Sequence, residues 1–138
     1  KSPKVYFIDP GLASFLCGYF DEDSLKSAKE AGSIFETMVL LHLTVLCELL
    51  VPKVKIFYWR TVSGQEVDFV LEYGKKLIAI EVKFSYSINY NDTKGIRSFL
   101  QEYPETLIGI LVYAGKEVKY LGQKLLAIPW VMLAGIER

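Results

Sequence analysis

The tightest constraint in this sequence is a pair of runs, Glu66–Tyr73 and Lys76–Lys83, separated only by Gly74 and Lys75. Both runs are rich in β-branched and large apolar residues, and a two-residue link containing glycine is the strongest short-range signal for a β-hairpin. Closing the loop at Gly74-Lys75 sets Tyr73 against Lys76 and, counting back, Asp68 against Glu81. Side chains alternate across a strand, so Val67, Phe69, Leu71, Ile78, Ile80 and Val82 fall on one wholly apolar face. The opposite face carries Asp68, Glu81 and Lys83. The rest of the chain must supply a cover for the apolar face.

The remaining segments supply it. Val5–Ile8 reads as a short strand, followed by Asp9 as an N-cap and Pro10 at the first helical position, with Gly18 ending that turn of helix. A long helix is expected from Ser24, loosened at Gly32 and stopped after Leu50 by Pro52. Its second half is apolar nearly all the way round, which places it between a sheet and another layer. Val54–Arg60 is a further strand before the hairpin. Asn91–Tyr103 shows helical spacing at Ile96, Phe99, Leu100 and Tyr103, capped by Asn91 or Asp92 and stopped by Pro104. Thr106–Tyr113 is then a strand that a right-handed crossover sets parallel to the one ending at Lys83. A hairpin at Ala114-Gly115 leads to Val118–Leu121, and Leu125–Ile128 is expected as a last edge strand. The expectation is one α/β domain over 1–138: a central mixed sheet of four to five strands flanked by helices.

Composition narrows the function classes. Sixteen Lys or Arg balance sixteen Asp or Glu among 138 residues, 51% of residues are hydrophobic and 14% aromatic. A polyanion trap and a disordered tail are both excluded. The charge is unevenly placed: residues 51–100 hold eight basic and five acidic side chains, residues 1–50 four and seven. Two cysteines, Cys17 and Cys47, sit in apolar sequence with no leader-like stretch before them, which fits a reducing cytoplasm. The apolar run Ile34–Leu50 contains Glu36, His42 and Glu48, and reads as a buried helix too short and too polar for a membrane span. The chain opens on Lys1 rather than Met and enters a strand at once, the pattern expected of a domain cut from a longer protein.

Directly opposed Cβ atoms lie ~4.5–5.5 Å apart, so Asp68 and Glu81 can grip one divalent cation. Such a cation neutralises the two like charges, polarises a phosphoryl oxygen and lowers the pKa of a water, with Lys83 beside it to stabilise developing charge. The same residues, with Glu66, also make a plausible solvated ion-pair network. From the hairpin alone both arrangements stand open.

The order Glu36, Asp68, then Glu81-Val82-Lys83, laid over helix, strand, strand, strand, helix, strand (αβββαβ), resembles the PD-(D/E)XK nuclease superfamily with its restriction-endonuclease-like core. More narrowly, the segments Lys4–Leu12, Gly32–Glu36, Tyr58–Arg60 and Ile128–Trp130 resemble the nuclease-like C-terminal domain that follows the ATPase module in many prokaryotic AAA-type ATPases. The resemblance implies Asp68 and Glu81 as metal ligands with the Val82 carbonyl a third, and Mg2+ or Mn2+ as the metal. Lys83 becomes the water-activating cation, and Glu36 completes the site through a metal-bound water. The one departure is Val67, standing where the motif has Pro. The reaction implied is endonucleolytic hydrolysis of DNA. The alternative is a non-catalytic recognition or assembly module for nucleic acid or protein. Expected partners are DNA, an ATPase module on the same chain and a further copy of the chain, with no membrane.

Other residues add less. Arg60, Lys94 and Arg97 are the candidate phosphate-backbone contacts. Tyr58 and Trp59 read as core aromatics and Trp130 as part of an exposed region. His42 is the only histidine and has no ligand-spaced partner, so it is read as structural. Ser14, Ser33 and Ser85 lack a triad arrangement, and no glycine-rich phosphate loop exists, so any ATPase chemistry belongs outside these residues.

Overall fold

In the computed structural model, which describes residues 3–135, a six-stranded sheet is covered by helices on both faces. The elements are α1 (Pro10–Leu16), α2 (Glu22–Ser27), α3 (Ala31–Glu48), β1 (Lys55–Arg60), β2 (Glu66–Tyr73), β3 (Lys76–Lys83), α4 (Lys94–Glu102), β4 (Ile108–Tyr113), β5 (Lys119–Gly122) and β6 (Leu125–Pro129). The first two and last three residues of the expected 1–138 domain lie outside the described part.

The strand order is β1-β2-β3-β4-β6-β5. The β2–β3 hairpin has the register expected of its glycine turn, Tyr73 facing Lys76 and Phe69 facing Ile80. As the crossover rule requires, β4 runs parallel to β3, Ile80 beside Ile110. The far side departs from expectation. Ala114-Gly115 makes no β-hairpin, because β6 and not β5 pairs with β4, in parallel. Leu125–Ile128 is therefore interior, its Leu125 and Ala127 fully buried, and short β5 is the edge. The sheet gains a sixth strand over the four or five expected.

One face packs on α3: Phe35, Val39 and Leu43 meet Phe69, Ile80 and Val112. The other packs on α4: Ile96 and Phe99 meet Val67, Val70, Ala79, Leu111, Leu125 and Ala127. Both faces of β4 are buried, as a parallel strand between helical layers demands. By length and composition α3 does reach the measure of a membrane-crossing helix, contrary to the sequence expectation, yet its inner face lies on the sheet.

Three more expectations need correction. Val5–Ile8 is extended but pairs with no strand. The long helix is two, with the break at 28–30 where Ala28 turns extended, while Gly32 lies inside α3. The cap before α4 is Asn89, in a reciprocal capping box with Asp92 at the head of a short 3-10 turn, rather than Asn91 or Asp92 alone. By contrast Asp9 caps α1 as read, its carboxylate accepting from the Leu12 N–H at 2.9 Å ahead of Pro10.

Candidate active site

The site lies at the end of the sheet where β2 and β3 part, and a β-bulge creates it. Opposite β1, Phe57 faces Val70 and Trp59 faces Val67, so three steps of β2 answer two of β1. The extra residue breaks the alternation expected from the sequence. Val67 turns to the α4 side and Phe69 to the α3 side, although two residues apart they should share a face. Asp68 lies between them. Bulges commonly re-aim a side chain next to a functional site. Here Oδ2 of Asp68 accepts from the Val82 N–H at 2.9 Å, at the point where the β2–β3 ladder has ended at Phe69 and Ile80.

Glu36, one turn into α3, reaches the same place. A residue outside the expected set joins the two carboxylates: Lys4 Nζ lies 2.7 Å from Glu36 Oε1 and 2.7 Å from Asp68 Oδ1. Tyr6 donates its hydroxyl to the same Glu36 oxygen at 2.6 Å, and the Tyr58 ring lies 5.1 Å from the ammonium. Burial pulls the Lys4 pKa down, but hydrogen bonds to Asp68 and Glu36 outweigh it and hold the group above the ordinary lysine range. Burial, then the Glu36 carboxylate, raises the Tyr6 phenol. For Asp68 burial and the Glu36 charge outweigh the help of Lys4 and the Val82 amide, so its pKa is raised.

Glu81 approaches from β3 on the α4 side. Its Oε2 is buried without a hydrogen-bond partner. Burial first, then the charges of Asp68 and Glu66, push its pKa up to about 8. Gly95 makes this approach possible: a Cβ there would sit 1.9 Å from the Glu66 carbonyl oxygen and 2.8 Å from Glu81 Oε2. Lys83 follows Glu81 by two residues and pairs with Asp92 at 3.2 Å, its side chain half-exposed. Val82 belongs to the site through its backbone.

At one end of the sheet Glu36 and Asp68 meet across Lys4, and Glu81 lies within range of the charges of Asp68, Lys4 and Lys83. The carboxyl oxygens of Glu36, Asp68 and Glu81 are the donor type that Mg2+ or Mn2+ takes, and the orphaned Glu81 oxygen is the kind of group a cation satisfies. No set of three or more His, Cys, Asp or Glu side chains among the described residues stands close enough as it lies to hold one metal. Lys4 takes the position between Glu36 and Asp68.

The three basic candidates sit in different surroundings. Lys94 is exposed at the start of α4. Arg60 faces Glu66 across the ladder, 3.9 Å from its carboxylate. Arg97 is held within the fold, donating to Thr93 Oγ1 at 3.0 Å and the Leu121 carbonyl at 2.7 Å with its guanidinium over Tyr90. Trp59 packs edge-to-face on Phe99, as read. Trp130 is half-buried against Phe35 and His42 rather than exposed, and His42 bonds the Met38 carbonyl. Cys47 is buried, whereas Cys17 is exposed despite its apolar sequence neighbours.

Residues 31–133 match the model of a domain of unknown function, DUF4143. The chain belongs to the DUF4143 family. Rv2008c of Mycobacterium tuberculosis and Mb2031c of Mycobacterium bovis are each 30% identical to it over 129 residues, covering 94% of the chain. The chain spans 28% of the length of these curated relatives. Among solved structures it resembles a chain in the assembly of Thermococcus gammatolerans McrB AAA+ hexamers with bound McrC. The TM-score is 0.51 at 12% identity, covering 71% of this chain and 27% of that one, a likeness of fold. The DUF4143 match begins at α3 and takes in Glu36, Asp68, Glu81 and Lys83, while Lys4 and Tyr6 precede it.

Proposed function

We propose that this DUF4143 domain is a metal-dependent nuclease module that hydrolyses DNA phosphodiester bonds and is attached to an ATPase. The observation that carries the reading is the Glu81 Oε2 oxygen, buried and unsatisfied within range of the Asp68 and Lys83 charges, with Glu36 and Asp68 joined across Lys4 at the same sheet end. Asp68 and Glu81, with the Val82 carbonyl, would hold Mg2+ or Mn2+, and Glu36 would complete the set. The ion supplies Lewis-acid polarisation of a phosphoryl oxygen and a more acidic water. Of the protein's own groups, Asp68 is oriented by the Val82 amide, and Lys83, half-exposed and paired with Asp92, would turn its ammonium to the charge that develops on phosphate. The McrB assembly supports the ATPase attachment by analogy.

The test is a calorimetric titration of the protein with Mn2+ alongside cleavage of linear, branched and single-stranded DNA. Asp68→Ala and Glu81→Ala should abolish the metal site, while Lys83→Ala should keep it and lose at least a hundredfold in cleavage. Undiminished cleavage in all three variants would remove the nuclease reading.

A second reading has its own observation. Leu12, Phe15, Leu16 and Phe20, on α1 and just after it, are largely exposed apolar residues, as are Val5 and Ile8 before it. A patch of this kind suits a recognition or assembly module. Partner or DNA binding that survives complete chelation of divalent cations would favour it.

A further inference from the structure

Residues 3–7 cross the site as a strap with Lys4 and Tyr6 turned in and Val5 and Phe7 turned out. Lys4 and Tyr6 are half-buried, whereas Val5 is 87% exposed, Phe7 53% and Ile8 79%. Among the described residues no backbone hydrogen bond ties 4–8 to the body of the protein. What anchors the strap is the pair of contacts of Lys4 to Glu36 and Asp68, the Tyr6 hydroxyl on Glu36, and the Tyr6 ring tilted against Phe69 at 5.9 Å. A segment held by side chains alone opens at a lower free-energy cost than a hydrogen-bonded strand.

We propose that Lys4 is a built-in occupant of the divalent-cation seat between Glu36 and Asp68, and that a metal ion enters as the strap lifts Lys4 out. This rests on the reading of Glu36, Asp68 and Glu81 as a metal site and adds its regulation. The geometry is that of a cation held as a ligand: one ammonium donating two 2.7 Å bonds to carboxylates from two different elements, with an aromatic face at 5.1 Å. The charges do not balance. One ammonium faces the two carboxylates of Glu36 and Asp68, and the ammonium of Lys83 is engaged by Asp92. A divalent ion in place of Lys4 adds the missing positive charge, while Lys4 in place excludes the ion by occupying the oxygens it would bind. The strap and the metal therefore compete, and anything that draws residues 3–8 away from the sheet opens the site.

The experiment measures Mn2+ affinity and Lys4 reactivity on the full-length protein without nucleotide. Calorimetric titration compares wild type, Lys4→Gln and Lys4→Arg, with Asp68→Ala defining binding elsewhere on the chain. Lys4→Gln should bind Mn2+ at the Asp68-dependent site at least tenfold more tightly than wild type, and Lys4→Arg should not. Acylation of Lys4 in wild type, followed by mass spectrometry, should be slow in the apo protein and accelerate at least fivefold when Mn2+ saturates. If wild type and Lys4→Gln bind equally and Asp68→Ala abolishes binding, the seat proposal is overturned while the metal site stands. If no variant binds above the Asp68→Ala background, both fall. Should Lys4→Gln fail to fold, the wild-type acylation rate decides: a rate that Mn2+ binding leaves unchanged overturns the proposal.

Discussion

Glu81 is the residue whose environment departs furthest from that of a free carboxylate, and its protonation gives the metal-free protein a signature. With a folded pKa raised from 4.5 to about 8, it keeps its proton between those values while the unfolded chain has lost it. Its contribution is therefore most favourable below about pH 4.5 and declines as pH rises toward 8, at up to ~1.4 kcal/mol per pH unit. Glu81→Gln, which mimics the protonated form, should be more stable than wild type at pH 8 with the gap closing toward pH 5, as read by urea denaturation in chelator. A constant gap would mean that Glu81 is ionised throughout. Arg97 tests the opposite idea, a charge without a role on DNA. Its hydrogen bonds to Thr93 and Leu121 tie α4 to β5, so Arg97→Ala should lower stability by about 1–2 kcal/mol and leave the salt slope of DNA binding unchanged. At this scale the sequence was legible for Asp68, Glu81 and Lys83, whose spacing on the hairpin is short. Lys4 and Tyr6 were not, because 32 and 30 residues separate them from Glu36 and no local pattern predicts such contacts. The single available signal was their presence in the segment Lys4–Leu12 that carried the family likeness.

Among the elements, β2 decides the site and α4 closes over it. The hairpin register follows from one glycine turn and was readable, but the bulge at Asp68 was not. Alternation predicts Val67 beside Phe69, and only pairing with β1 reveals the extra residue. The same blindness to pairing hid the true neighbour of β4: a strand's sequence states that it is buried, not which strand it lies against. The helix α4 was legible from the spacing of Ile96 and Phe99, whereas its close approach was signalled only by Gly95. Adding a methyl group there would meet the β2 backbone at 1.9 Å, so Gly95→Ala should push the helix outward. The expected cost is about 1–3 kcal/mol by thermal or denaturant unfolding, with weaker Mn2+ binding as Glu81 is displaced. A neutral outcome would mean that α4 is not seated on Glu66 in solution.

For the whole molecule, helices enclose a mixed sheet, so the α/β class was readable from the alternation of strand and helix patterns. The exposed residues of α1 and its flanks are one of the apolar parts of the surface that this enclosure leaves uncovered. If they form a contact surface, Leu16→Glu with Phe20→Glu should abolish concentration-dependent association in light scattering without lowering the melting temperature by more than a few degrees. Unchanged association would place the contact elsewhere. The two outermost strands carry a different consequence. With no net charge and a pI near 6.8, these residues have little colloidal repulsion at neutral pH to keep copies apart. Protection against ribbon-like stacking falls to shape instead. One border, β1, starts and ends with Lys55 and Arg60 and runs against the bulge, and the other, β5, is four residues long with a break in register at Tyr120–Gly122. Neither offers a long flat template to a second chain, so the irregularity that aims Asp68 also guards one border of the sheet against amyloid-type growth.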